Sequence, residues 1–276
     1  MTDANRDLVA ELVGTGVARH EARWLVREFV PEADHDALRA LRLAARRRLA
    51  GEPLQYIIGH WPFRSLDLDV DDRVLIPRPE TEELVSVALH ELACSGVLAP
   101  TIVDLGCGSG AIGLALLQEL GERGVAATLV ALDQSIGALD VARRNALKHR
   151  LTNVSFVQSS WFTHLDPSLR GRVDLIVANP PYISAGEMSG LDAVLHYEPR
   201  TALVAGDTAA ALGFADLELI IEASPTWLGA VGRLVVEHGA AQRDAALAAA
   251  VAAGFVTVDD YQDLAGHPRI LVARRS

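Results

Sequence analysis

Apolar residues in the first fifty positions recur about every 3.6 residues, as Leu8, Val9, Leu12 and Val13, then Leu25, Val26 and Phe29, then Leu38, Leu41, Ala45 and Leu49. That period predicts a small bundle of amphipathic helices. The pattern then changes: Leu66, Leu68 and Val70 alternate with acids, "DVDD" offers a turn, and Val74, Leu75 and Ile76 follow. An alternating stretch, a turn and a short apolar run predict a hairpin joining two domains. Pro77 and Pro79 stop its second strand, and Leu84, Val85, Ala88 and Leu92 resume a helical stripe.

From Thr101 onward, short β-branched runs alternate with helical ones. "TIVDLG", "TLVALD", "VSFVQ", "VDLIVA" and "GRLVVE" have the continuous apolarity of strands covered on both faces, and helical stretches at 110–120, 135–149 and 210–228 separate most of them. The final "FVTVDDYQDLAGHPRILVARRS" has two apolar runs with no room for a helix between them, which predicts an antiparallel pair at the edge of the sheet. The expected fold class is α/β, a doubly wound, mostly parallel, seven-stranded sheet. Its expected division is a helical domain at 1–52, a hairpin linker at 53–78 and the sheet domain at 79–276.

Composition narrows the possible functions. Half of the 276 residues are apolar, enough for a large core, and the net charge of −11 argues against a broad phosphate-binding surface. No direct nucleic-acid partner is therefore expected. Five arginines on the third helical stretch, Arg39, Arg42, Arg46, Arg47 and Arg48, read either as a solvated face or as a contact for a partner. Two cysteines, Cys94 and Cys107, are too few for a disulfide framework or a zinc cluster, so no metal is expected. The start carries acids where a signal peptide is basic, and no apolar run approaches the ~20 residues that span a bilayer. The expectation is a cytoplasmic protein with no membrane partner.

Candidate chemistry begins at "VDLGCGSGAIGLAL", where Gly106, Gly108 and Gly110 lie between the first strand of the sheet and its helix. Glycines there allow a tight turn and close approach of backbone to a ligand. Such a loop also occurs in dinucleotide folds, but its neighbours differ. Asp104, just before the loop, would repel a pyrophosphate and could pair with an ammonium group. Asp133, at the end of the second strand, is placed to accept from two ribose hydroxyls. These residues suit S-adenosylmethionine better than NAD. The structural alternative is a mere tight turn, with Asp133 capping the helix that begins near Ser135.

The fourth strand ends in "NPPY". Two prolines cannot continue a ladder, so the strand ends at Asn179, beside the expected cofactor. A planar nitrogen, amide or adenine amine, has a delocalised lone pair and is a poor nucleophile. The Asn179 side-chain oxygen and the Pro180 backbone oxygen can each accept one of its N–H bonds and turn the lone pair toward a sulfonium methyl. Pro180 and Pro181 stiffen the loop, and Tyr182 offers a flat face to a planar substrate. The bland alternative is a strand-ending turn with Tyr182 packed as core.

With these residues in view, the chain resembles the class I S-adenosylmethionine-dependent methyltransferases, specifically the bacterial release-factor glutamine methyltransferases. The resemblance rests on "PLQYIIG", "LIPRPETEELV", "VDLGCGSGAIGLAL", "NPPYI", "YEPRTALVAGD" and "LVVEHG". "NPPY" is shared with adenine N6-methyltransferases; "PRPETE" and "EPRTAL" are more specific. The resemblance implies a Rossmann-like fold, S-adenosylmethionine as methyl donor with S-adenosylhomocysteine as product, and a protein substrate. That substrate is the glutamine of the Gly-Gly-Gln loop in peptide chain release factors, with the helical domain recognising it. By the same resemblance Gly106, Cys107, Gly108, Ser109 and Gly110 hold the cofactor, with Asp133 on the ribose and Trp161 near the adenine. Asn179, Pro180, Pro181 and Tyr182 hold the substrate amide, and Arg78, Glu80 and Glu237 line its approach or form a salt-bridge network around the cleft. Ser160 stands where the family often has an acid facing adenine. A glutamine methyltransferase for a ribosomal protein, an adenine methyltransferase and a non-catalytic cofactor sensor are the competing readings. Because the substrate is itself a large protein, a monomer is expected.

Overall fold

The computed structural model describes residues 3–30, 35–190 and 193–276. Helices α1 (Asp3–Gly14), α2 (Arg19–Phe29) and α3 (His35–Leu49) follow the predicted stripes, and a short α4 (Leu54–Ile58) is added. Val9, Leu12, Leu25, Val26, Leu41, Leu54 and Ile57 form their shared core. Three of the five α3 arginines are held by acids: Arg42 by Glu11, Arg47 by Glu52 and Arg48 by Glu21.

The hairpin is real but lies earlier in the chain than predicted. Strand β1 (His60–Phe63) pairs antiparallel with β2 (Leu66–Asp69) around a turn at Arg64 and Ser65, whereas Val74–Ile76 forms no strand. Arg64 takes a left-handed φ of 51°, disfavoured for a side-chain-bearing residue. The turn is anchored instead by polar contacts: the Arg64 N–H donates to the Glu82 side chain at 2.9 Å, and its guanidinium donates to Ser86 at 2.8 Å and to Glu119. Val74 and Ile76 are buried nonetheless, against Tyr56, Ala138 and Val141. Their apolarity reflects that packing rather than a partner strand.

Helix α5 (Pro79–Ser95) begins on a proline at its first turn, where no N–H is needed, and ends at Gly96 in a left-handed cap. The sheet follows: β3 (Thr101–Leu105), β4 (Thr128–Asp133), β5 (Val154–Gln158), β6 (Val173–Ala178), β7 (Leu228–Glu237), β8 (Thr257–Gln262) and β9 (Pro268–Arg274), in the spatial order β5-β4-β3-β6-β7-β9-β8. Only β9 runs against the rest, paired antiparallel to both β7 and β8. This is the predicted doubly wound sheet with its antiparallel C-terminal pair. Alternate residues of each strand enter two cores. Ile102, Leu129, Leu175 and Val177 pack under α5, α6 (Ala111–Glu122) and α7 (Ile136–Lys148); Val103, Leu132, Ile176 and Val236 pack against α8 (Ala215–Trp227) and α9 (Arg243–Ala252). The sequence reading did not identify α4 or α9.

Strand order reverses between β3 and β6, since the chain proceeds outward from β3 through β4 to β5 and then returns to β3's other side. Ligands in open α/β sheets bind outside the strand ends at such a point. Here Leu105 is paired with Ala178, so Gly106 and Asn179 leave the sheet as neighbours.

Candidate active site

A cavity of about 300 Å³ opens above the carboxyl ends of β3, β4, β5 and β6. Its walls include Gly106 and Gly108 from the glycine loop, Asp133 after β4, Trp161 after β5, and Asn179 and Pro181 after β6. Six predicted residues thus meet in one space. Two further walls were not foreseen: Arg73, Val74 and Leu75 from the segment after the hairpin, and Pro199, Thr201, Ala202 and Val204 from "EPRTALV".

The glycine loop divides its tasks. Gly106 adopts φ +69°, and a β-carbon there would lie 3.2 Å from the Trp161 ring. It keeps the indole in place as much as it admits a ligand. Cys107, Ser109 and Gly110 do not line the cavity. The Cys107 N–H donates to the Leu132 carbonyl and its side chain enters the core under α6; the Ser109 carbonyl accepts from Asn145; Gly110 caps α6. Burial pushes the Cys107 thiol well up, which keeps it protonated and unreactive. Asn145, fully buried, also exchanges two hydrogen bonds with the Asp69 backbone, tying the loop to the hairpin.

Asp133 accepts the Gly108 N–H on one oxygen and the Ser135 N–H on the other, both at 2.9 Å. The helix cap itself is Ser135, whose hydroxyl accepts from Ala138, so Asp133, which lines the cavity, keeps a further lone pair on each oxygen. Its pKa is raised by burial, against which the two backbone N–H groups act. Asp104 sits deeper than expected. It is 1 % exposed, one oxygen accepts from Gly113 at 2.9 Å, and the other has no partner among the described residues. Burial pushes it up to about 7, with the Gly113 bond lowering it and the nearby Asp133 charge raising it further. It does not line the cavity, which corrects the expectation of a direct ammonium contact.

Trp161 has a left-handed φ of 46°, and its indole N–H donates to Asp216 of α8 at 3.0 Å. Asp216 and Ser160 both line the cavity. Asp216 was not foreseen; nothing in its sequence context separates it from an ordinary acid in the first turn of a helix.

The Asn179 carboxamide donates from Nδ2 to the Thr81 hydroxyl at 3.1 Å, and Thr81 donates to Glu237 at 2.7 Å. The Tyr182 hydroxyl approaches the other Glu237 oxygen at 3.5 Å. Neither Asn179 Oδ1 nor the Pro180 carbonyl accepts a bond from any described residue. Pro180 and Pro181 are buried, and Glu237 is 1 % exposed. Burial pushes Glu237 up, with the Thr81 bond and the Arg269 charge opposing, and pushes Tyr182 up to about 12. Arg269 lies 5.9 Å from the Tyr182 ring centre. The buried Gln242 donates to the Tyr182, Leu212 and Gly213 carbonyls and so holds the backbone behind Tyr182.

Arg78 does not reach the cavity. Its guanidinium is engaged by Glu198, and Glu198 also accepts the Ile76 N–H at 3.0 Å. Glu80 is exposed at the start of α5. Of the three residues expected to line the approach, Arg78 belongs to a salt bridge beside the cleft and Glu237 lies beneath the Asn179 side chain. Thr81 and Glu198 were also missed, although they lie in the quoted motifs "PRPETE" and "EPRTAL".

A glycine floor, a carboxylate with accepting capacity left on each oxygen and an aromatic wall line one cavity and together fit a cationic nucleoside. They do not fit a pyrophosphate.

A family model described as "Methyltransferase domain" matches residues 99–255. The chain is 38% identical over 259 residues to a release factor glutamine methyltransferase of Burkholderia pseudomallei, covering 91% of this chain and 87% of that one. It is 39% identical over 228 residues to the Aliivibrio fischeri protein of the same name, covering 83% and 76%. Among solved structures, it resembles a methyltransferase from Pyrococcus furiosus (TM-score 0.52, 13% identity, 87% of this chain and 99% of that one). It also resembles a T. thermophilus 16S rRNA methyltransferase in complex with AdoMet and guanosine (TM-score 0.58, 15% identity, 79% and 50%). At those identities the two structures speak to the fold alone.

Proposed function

The chain belongs to the release factor glutamine methyltransferases, and on that premise we propose that it methylates the side-chain nitrogen of the Gly-Gly-Gln glutamine in class 1 peptide chain release factors. The observation that carries the reading is the adjacency of Gly106 and Asn179 at the mouth of one cavity, set by the pairing of Leu105 with Ala178.

When bound, S-adenosylmethionine supplies an electrophilic sulfonium methyl. The chain's residues do the remainder. Asp133 accepts the ribose hydroxyls, Gly106 and Gly108 admit the ligand close to backbone, and Trp161 supports the adenine. Asn179 Oδ1 and the Pro180 carbonyl each accept one N–H of the substrate amide. That orients the nitrogen lone pair for in-line attack and places negative dipoles where positive charge develops. No group removes a proton first, because an amide proton is far too weakly acidic for any carboxylate here. The methylated nitrogen, once cationic, is strongly acidic and gives its proton to solvent water without help from a protein base.

In the proposed division of labour, residues 1–52 recognise the protein substrate, 53–78 link, and 79–276 catalyse. The net charge of −11 supports a partner other than nucleic acid. Among the described residues no helix is long and apolar enough to cross a membrane, which supports work in the cytoplasm, and a monomer suits a bulky substrate. The test is incubation with labelled S-adenosylmethionine and, separately, a release factor, ribosomal proteins and DNA, followed by mass spectrometry. Label on the Gly-Gly-Gln glutamine is expected; label confined to another acceptor overturns the reading.

A further inference from the structure

We infer that Thr81 is a positioning residue whose hydroxyl, oriented by Glu237, decides which end of the Asn179 carboxamide faces the cavity. The inference rests on the glutamine-methylation reading and adds to it a reason for the chain's own choice of residue at 81. A carboxamide can turn half a revolution about its last bond at almost no steric cost, exchanging its oxygen for its NH2 group. Turned the wrong way, Asn179 would present donors to the N–H groups of an incoming amide. Orientation is therefore a catalytic requirement, and "NPPY" does not itself enforce it.

The enforcement comes from donor and acceptor bookkeeping beneath the side chain. Glu237 is buried, and with a hydroxyl donor on each of its two oxygens it serves as an acceptor only. Thr81 has one O–H, and it points to Glu237 Oε2 at 2.7 Å; Tyr182 offers its O–H to Oε1. With its proton committed, Thr81 Oγ1 has only lone pairs left for Asn179, so the atom 3.1 Å away must be the donor Nδ2. Oδ1 is thereby turned toward the substrate. The polarity of the whole series is set at its far end, by a carboxylate that never touches the reacting atoms.

The test compares Thr81→Val and Thr81→Ser with wild type, using intact chain, a release factor as acceptor and calorimetry for cofactor affinity. Valine keeps the shape and removes the hydroxyl; it should lower kcat at least about tenfold and leave the cofactor Kd within about twofold. Serine keeps the hydroxyl and should restore kcat to within about threefold of wild type. If valine does not fold, shown by loss of a cooperative melt, Thr81→Ala serves for the same readings. Valine or alanine turning over within about twofold of wild type overturns the inference. So does serine as slow as valine, or a cofactor affinity that falls in step with kcat. Wild type that labels no glutamine removes the underlying reading and the inference with it; an active wild type with an indifferent Thr81 variant removes the inference alone.

Discussion

The guanidinium of Arg78 donates to Glu198, a residue 120 positions further along the chain, whose side chain is 1% exposed. The pair joins "PRPETE", which opens α5, to "EPRTAL", which walls the cavity. Two motifs distant in sequence are thus one object in space. Glu198 also accepts from Ile76, so removing its cation leaves a buried carboxylate partly satisfied. Arg78→Ala is therefore expected to destabilise the fold by about 3 kcal/mol, the low end for breaking a buried pair. Urea denaturation measures it, and a change below about 0.5 kcal/mol would show the pair to be ornamental.

Asp133 and Asn179 line the same cavity and should fail in opposite ways. Asp133→Ala removes the acceptor proposed for the two ribose hydroxyls and should weaken cofactor binding about 10- to 100-fold, with turnover largely recovered at saturation. Asn179→Ala should cost at least about 100-fold in kcat and leave cofactor affinity nearly unchanged. Calorimetry beside single-turnover kinetics separates the two, and equal loss of cofactor binding in both variants would contradict the assignment.

Gly106→Ala tests whether the glycine is required by the backbone and its neighbour together. The left-handed φ disfavours a β-carbon by about 1–2 kcal/mol, and that carbon would also press on the Trp161 ring at 3.2 Å. A lowered Tm together with weaker cofactor binding is expected. A variant with wild-type values of both would mean that the loop relaxes without cost.

Asp104 makes a prediction about pH. Its folded-state pKa stands at about 7, above the ordinary 3.8, through burial. Between those values the folded chain holds a proton that the unfolded chain has released, so stability falls as pH rises through that window. The contribution is fully present below about pH 4 and diminishes up to about pH 7, on the order of 4 kcal/mol in total. Asp104→Asn lacks this titration. The stability of wild type relative to the variant, from denaturation at several pH values, should decline from pH 4 to 7, and a constant difference would refute the assignment.

Much of this architecture was legible in the chain because buried parallel strands must be continuously apolar, as "TIVDLG" and "VDLIVA" are. The hairpin was misplaced because the apolar run Val74–Ile76 follows a turn-forming stretch just as a strand would, while the true turn at Arg64 and Ser65 lacks glycine or asparagine. Arg64 replaces turn chemistry with bonds to Glu82, Ser86 and Glu119, which lie outside any local window. Among site residues, Gly106, Asp133 and Asn179 were readable because each ends or follows a strand. Thr81 was not: a hydroxyl between two glutamates in a first helical turn looks like a cap, and its partners Asn179 and Glu237 lie 98 and 156 residues away. Asp104 was readable as an acid before the loop, but its depth under α6 depends on Gly113 leaving room for it, with an added β-carbon only 2.8 Å from its oxygen.

The pairing of Ile102–Leu105 with Leu175–Ala178 acts as a ruler for the chemistry. A slip of one residue would carry Asn179 about 3.3 Å along the strand axis and turn the fourth strand's side chains to the opposite face. On the proposed function, the spacing of methyl donor and acceptor accordingly depends on the register of interior aliphatic residues outside the cavity. A swap of bulk among them, neutral by hydropathy, can detune transfer without altering any residue in the cavity.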